Sequence, residues 1–368
     1  MHRRQDQFRG ALLGLAAGDA LGYTVDDMTL EEIEEAYGPD GLRGYDTRNG
    51  YAEISAHTQL ALFTANGLLY GQTRGALRGV MAPYSKYAEA AGRDWLKTQQ
   101  YSGRFLKQTG CTWLLQVPEL HARRRPEPLM LDAFQRVATG TMESPVNRFR
   151  GCGALTSAAM AGLVLRPDHL AQGEIDRVGA EIAALTHGDP LGFLPGAAAA
   201  HMLCRLLNDR PDSLRSLVRE TIDAVGDVYG PDYPQTETVL RLLARAEALA
   251  DRWELSDAEA VAQLGGADAA EVLAVAVFAC LRYPGDYSAA LVAAVNQSGR
   301  SAGAGALAGC IQGAWLGTEG IPEFFLEPLE LRQTLETLAD DAYQGCSMSA
   351  GSALFDDQWD QRYVQCQP

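Results

Sequence analysis

Paired cysteines are missing from this chain. Cys111, Cys152, Cys204, Cys280, Cys310, Cys346 and Cys366 form no CxxC pair and no Cys/His spacing of the kind that holds zinc. An odd set of thiols, with no leader-type cleavage pattern after the basic MHRRQDQF start, gives the expectation of free thiols in a reducing, cytoplasmic compartment. Positive charge is also scarce: 31 Lys and Arg stand against 47 Asp and Glu, for a net charge of −16. That balance argues against nucleic acid or an anionic membrane as the main partner, while leaving room for an anionic small molecule in a local cationic pocket. The longest apolar run, Val272 to Leu281, is too short to span a bilayer. No alternating strand pattern, Ser/Gly linker or fixed-period repeat divides the chain. These absences leave an all-α fold over residues 1–368, with a short C-terminal tail at about 345–368, expected as a monomer or weak dimer.

Glycine, by contrast, is plentiful and ordered. Gly10, Gly14, Gly18 and Gly22 recur every fourth residue near the start, and Gly305, Gly309, Gly313 and Gly317 do the same near the end. Residues four apart share one face of a helix. A glycine inside a helix costs about 0.5–1 kcal/mol relative to alanine, and close backbone-to-backbone packing is the natural compensation. Apolar residues recur at threes and fours elsewhere too, predicting helices over 8–21, 30–36, 55–70, 75–98, 104–116, 129–138, 152–165, 172–186, 191–208, 212–227, 236–252, 257–263, 269–282, 286–296, 301–315 and 328–342. The glycine- and tyrosine-rich loop 39–54 precedes a helix start, either as the rim of a site or as a plain surface connection.

Four windows carry a family likeness. They are Phe8-Arg9-Gly10-Ala11-Leu12-Leu13-Gly14 through Gly18-Asp19-Ala20-Leu21-Gly22; Ser55-Ala56-His57-Thr58-Gln59; Thr186-His187-Gly188-Asp189-Pro190; and Ala293-Ala294-Val295-Asn296 through Gly309. Their order and separation resemble the ADP-ribosylglycohydrolase family, which includes the dinitrogenase-reductase-activating glycohydrolases, over residues 8 to about 322. The resemblance implies a compact orthogonal multi-helix bundle. It also implies a site built from the second and fourth windows, where family members hold two magnesium ions with carboxylates and threonines.

The departures from that pattern are specific. Ala56 and His57 replace the paired aspartates of the second window; Arg300 and Ala302 stand at the aspartate positions of the fourth, and Gly303 replaces its last threonine. Ser55, Thr58 and Ser301 remain, but neutral hydroxyls alone do not hold two hard divalent cations. The expectation is no dinuclear magnesium centre, hence no metal cofactor. In Gly151-Cys152-Gly153, Cys152 takes the place of the family's Asn, and Thr156-Ser157 replace its Met-Arg pair. The turn with Gly153 still offers backbone N–H groups for a phosphate, with a weaker cationic complement. Asp26 stands where the family often has a glutamate near the scissile bond.

Each of these residues admits two readings. Asp26 is a general acid/base or a solvated carboxylate at a helix entry. His57, in a first helical turn, is a proton shuttle or a filler of the vacated cavity. Arg300 grips an anionic substrate group, with Ser55, Thr58 and Ser301 around it, or pairs with Asp26, Asp27 or Glu53. His187 lies beside the ligand or caps a helix. Asp19 anchors a neighbouring backbone or takes part in chemistry. Cys152, where a helix start would stabilise a thiolate, is a ligand neighbour or a nucleophile. Trp113, Trp315 and Tyr51 stack on a base or, for the tryptophans, pack in the core. Three functions follow: a metal-independent enzyme acting on an N-glycosidic bond of an ADP-ribosyl or related nucleotide-like molecule; an inactive relative binding an ADP-ribose-like ligand or a protein; or a relative with a plugged cleft.

Overall fold

A computed structural model describes residues 3–47, 50–100, 109–351 and 354–367. It is built around the two glycine ladders. The first helix runs Gln5–Val25 and the late one Ser301–Leu316. They lie antiparallel: Gly10 faces Gly313, Gly14 faces Gly309, Gly18 faces Gly305, and Gly22 faces Ser301. A methyl group at any of the three Gly–Gly levels would overlap the carbonyl oxygen across the seam. Only hydrogen fits there, so the ladder is a steric requirement. The seam is further tied by Tyr287, whose hydroxyl donates to the Gly14 carbonyl at 3.0 Å.

Helices Ala56–Arg78, Leu155–Val164, Pro190–Asn208 and Ala269–Arg282 surround this pair and complete an all-α bundle. Among the described residues there is no strand; the only extended pairing is a single parallel bridge between Ala52 and Leu329. The Pro190–Asn208 helix is long and apolar enough to cross a membrane by length and composition, but 83% of its apolar window is buried in the bundle. It also carries His201, hydrogen-bonded to Asp176 at 2.8 Å, which marks it as a core helix.

Several boundaries differ from the periodic reading. The helix predicted to stop at 70 continues to Arg78, because Gly71 packs under the Tyr87 ring; the break comes at Gly79, whose φ is +69°. The next helix therefore starts at Tyr84 rather than 75. Of the helix predicted over 104–116, residues 104–108 lie outside the described set, and the rest forms one 3-10 turn at Trp113–Gln116. The helix predicted from 328 begins at Arg332, since Pro328 and Glu330 are bonded to Ala52. The segment after 345 adds a helix at Asp357–Tyr363, anchored by buried Trp359 and Tyr363. The loop after 39 folds down onto the frame: Leu42 exchanges two hydrogen bonds with the Asn296 side chain, at 2.7 and 3.0 Å.

Candidate functional site

The site grows from Asp19. This fully buried carboxylate, on the side of the first helix that faces the Ala56–Arg78 helix, accepts four hydrogen bonds: from the Ser55 amide at 2.8 Å, the Ser55 hydroxyl at 2.5 Å, the Thr58 amide at 3.2 Å and the Thr58 hydroxyl at 2.5 Å. Ser55 in turn caps the helix by accepting the His57 N–H at 3.1 Å. Burial raises the Asp19 carboxyl above the ordinary aspartate range, against the pull of His57 and of those hydroxyl donors. Asp19 is thus the anchor that aims the second window.

His57 then projects from a first helical turn toward Gly303 and Cys152. A methyl at Gly303 would stand 2.9 Å from Cys152 Sγ and 3.3 Å from His57 Cε1, so these three positions share one packed contact. The His57 carbonyl accepts the Thr156 hydroxyl at 2.9 Å, and its ring Nδ1 is buried with no protein partner. Three helix starts meet here: those at Ala56, Leu155 and Ser301. Most of their first-turn N–H groups already have protein acceptors, so it is the helix dipoles that favour negative charge in the space between them. The Ser301 hydroxyl is also buried without a protein partner.

Asp26 closes the junction. It follows the first helix, and its Oδ1 accepts the N–H of Ala302 at 3.0 Å, capping the late glycine helix from 276 residues away. It is therefore not a freely solvated carboxylate. Burial raises the Asp26 carboxyl above the usual range despite that N–H and the nearby His57 and Arg300. Arg300 donates to Asp27 Oδ1 at 2.8 Å, a pair in which the side chains are 46% and 60% exposed. So of the three acidic partners considered for Arg300, it takes Asp27; Glu53 is paired with Arg124 instead. Arg125 lies over the Tyr23 ring and donates to the Asp26 carbonyl at 3.3 Å.

The third window joins from the opposite side. His187 is buried, with Nδ1 2.8 Å from the Thr186 hydroxyl and Nε2 3.2 Å from Glu127 Oε2, and its ring stacks on Phe149 at 4.9 Å. Glu127 packs against the Gly151-Cys152-Gly153 turn: a Cβ at Gly151 or at Gly153 would collide with its carboxylate. The turn thus faces an acid side chain. Burial works to raise the Glu127 carboxyl, but the His187 hydrogen bond, with His57 and Arg300 nearby, outweighs it and holds Glu127 below the usual glutamate range. The same surroundings correct the thiolate expectation for Cys152. Burial, then the charges of Glu127 and Asp26, push its thiol well above the ordinary cysteine range and keep it neutral.

Glu127, Phe149, Arg150, Gly151, Asp268 and Arg300 line a cavity of about 170 Å³. A neighbouring hollow of about 210 Å³ is lined by Asp27, Thr29, Ser298 and the other side of Arg300. A larger cavity, about 340 Å³, lies away from this junction beside Gln72, Tyr84 and Arg166. Its polar groups are already spent, Arg166 on the Tyr343 and Gln344 carbonyls and Gln72 on the Val164 carbonyl. The aromatic candidates do not converge on the junction: Trp113 is buried in the core, Trp315 packs against it, and Tyr51 is exposed and lines neither hollow.

The donor set does not suit a pair of divalent cations. Ser55 and Thr58 offer only neutral hydroxyls, which donate to Asp19, a guanidinium stands at position 300, and Asp26 accepts the Ala302 amide with Oδ1. Among the described residues no group of three or more His, Cys, Asp or Glu side chains is placed to share a metal ion. Magnesium asks for a near-octahedral set of hard oxygens, which these residues do not offer.

The sequence pattern of the ADP-ribosylglycohydrolase family matches residues 1–351. The chain belongs to that family. An uncharacterized protein of Archaeoglobus fulgidus is 25% identical over 353 residues, covering 92% of this chain and 97% of its own length. A solved structure titled "ADP-ribosylglycohydrolase-related protein complex" superposes with a TM-score of 0.61 at 23% identity, over 94% of this chain and 99% of the other. That similarity establishes the ADP-ribosylglycohydrolase fold.

Within this member of the family, the structure gathers Asp26, His57, Cys152, Arg300 and Ser301 around one junction and brings His187 to it through Glu127. Ser55 and Thr58 sit behind it, holding Asp19. Sequence reasoning missed Glu127, Phe149 and Arg125. They come from the irregular stretch between Val117 and Arg150, where no periodicity or motif distinguishes them; the one available signal was an acid directly before Pro128 at a helix start.

Proposed function

We propose that this chain is a metal-independent glycohydrolase-like enzyme that cleaves an N-glycosidic bond of an ADP-ribosyl or related nucleotide-like small molecule. The observation that carries this reading is the position of Asp26. It is a carboxyl raised above its normal range, set at the meeting point of His57, Arg300 and the start of the Ser301–Leu316 helix. A carboxyl that holds its proton more tightly than usual is suited to pass one to a leaving nitrogen, and the carboxylate it becomes is a base for water. Arg300 and the convergent helix starts take the anionic part of the substrate, the work that divalent cations would otherwise share. His57, with a buried nitrogen free of protein partners, relays the proton to or from that space.

The test is release of ADP-ribose from an ADP-ribosylated arginine peptide, and of nicotinamide from NAD, in excess EDTA. Wild type turns over at least one of them; Asp26→Asn loses about 100-fold or more and His57→Ala about 10-fold or more. Turnover that appears only with added magnesium, or that survives both substitutions, overturns the reading. One observation favours the alternative of an inactive relative binding an ADP-ribose-like ligand or a partner protein: Asp26 already serves as the cap on Ala302. That alternative expects ADP-ribose to raise the melting temperature with no product formed.

A further inference from the structure

The geometry points to Glu127 as the second carboxylate of this site, the one that stands against the positive charge developing on the sugar ring, with His187 as its positioning residue. This rests on the reading of the junction as a glycosidic site. Breaking a C1′–N bond sends its electron pair to the nitrogen, which takes a proton from Asp26. C1′ and the ring oxygen then share a positive charge until water adds through its oxygen and gives its proton to the Asp26 carboxylate. Such a cation needs an anion on a face where the proton donor is not.

Glu127 and Asp26 flank the same three side chains, Cys152, His57 and Arg300. Glu127 is held in place. Its Oε2 is fixed by His187 at 3.2 Å, and His187 is fixed by Thr186 at 2.8 Å and by the stacked Phe149 ring. No hydrogen bond engages its Oε1, and Glu127 belongs to the wall of the 170 Å³ cavity that Arg300 also lines. The other acids on that wall are occupied. Glu271 Oε2 accepts the N–H groups of Gly266, Ala267 and Asp268 at 3.1, 2.8 and 3.3 Å, and Asp268 caps the helix that follows. The glycines at 151 and 153 make room for the Glu127 carboxylate. Asp26 and Glu127 are pushed in opposite directions from their normal ranges, the signature of an acid and an anion with divided roles. The charges facing Glu127 are His187, His57 and Arg300 nearby, with Arg150, Asp268 and Glu271 across the cavity and the neutral Cys152 thiol beneath it.

Binding tests this without turnover. Two probes are compared by calorimetry: ADP-ribose, and an ADP-ribose analogue whose ribose ring oxygen is replaced by a protonated nitrogen. Glu127→Gln, which keeps size and loses charge, binds ADP-ribose within about 3-fold of wild type but loses about 10- to 100-fold on the cationic analogue. In wild type the cationic preference fades as pH falls and Glu127 takes up a proton. In His187→Asn, where the stabilising donor is gone, it fades at higher pH. If Glu127→Gln unfolds, the His187→Asn pH profile decides alone. Equal discrimination in wild type and Glu127→Gln, or an unmoved profile in His187→Asn, overturns the assignment of Glu127 only. A wild type that binds neither probe overturns the glycosidic reading and this inference with it.

Discussion

Thr58 donates its hydroxyl to Asp19 at 2.5 Å, across 39 residues and between two helices. This bond and its three companions join the first and second windows into one rigid unit. Asp19→Ala strands the Ser55 and Thr58 donors in a buried space. The expected loss is about 3 kcal/mol or more of folding free energy, measured by urea denaturation. Asp19→Asn keeps one acceptor and loses less, about 1–3 kcal/mol.

The glycine seam gives a sharper comparison. Gly14→Ala or Gly309→Ala drives a methyl into a facing backbone carbonyl, and neither backbone yields cheaply. Each is expected to cost about 3 kcal/mol or more, or to prevent folding. Gly173→Ala is the internal control: it lies in the helix Gln172–Ala184 with nothing within 4 Å of the added methyl. It should stabilise by about 0.5–1 kcal/mol. Thermal melts of the three variants side by side check the contrast.

Asp26 predicts a pH dependence of stability. Its folded-state carboxyl is raised by burial, so the native state binds a proton more tightly than the unfolded state does. Its contribution is favourable below the unfolded-state range and is lost as pH rises through the folded-state value. Asp26→Asn retains an oxygen acceptor for the Ala302 N–H and removes the titration. The variant should match wild type in acid and gain on it toward neutral pH, read from denaturation midpoints across that window.

The C-terminal helix is held by two buried aromatics, Trp359 and Tyr363. Trp359 is 1% exposed and donates its ring N–H to the Thr73 hydroxyl at 2.9 Å. Trp359→Ala opens a cavity and leaves that hydroxyl without the indole. The expected loss is about 3–5 kcal/mol, with protease cleavage appearing first between residues 345 and 357.

The helical architecture was written plainly in the spacing of apolar residues and glycines. Gly10, Gly14 and Gly18 announced a close seam, and the facing carbonyls of Gly313, Gly309 and Gly305 explain it. Of the residues singled out in the sequence, Asp26, His57, Cys152, Arg300 and Ser301 lie at helix ends around one junction. Glu127 and Phe149 were not legible. They sit in irregular chain, where position is set by tertiary contacts such as the His187 bond, and no local pattern encodes such a contact. Helix ends drifted for the same reason. Gly71 is a breaker by propensity, yet the Tyr87 ring packed on it keeps the helix intact.

The partner of the first helix is synthesised long after it. While a ribosome is still making the middle of the chain, residues 5–25 have no late helix to close against, since that helix begins at Ser301. The Asp26 cap on Ala302 waits equally long. Closing the two ladders is therefore a late step, slow for an all-helical chain because its defining contact spans a long sequence separation. Moving the chain ends to an exposed loop, so that the two ladders become neighbours in sequence, should accelerate refolding while leaving the native seam intact.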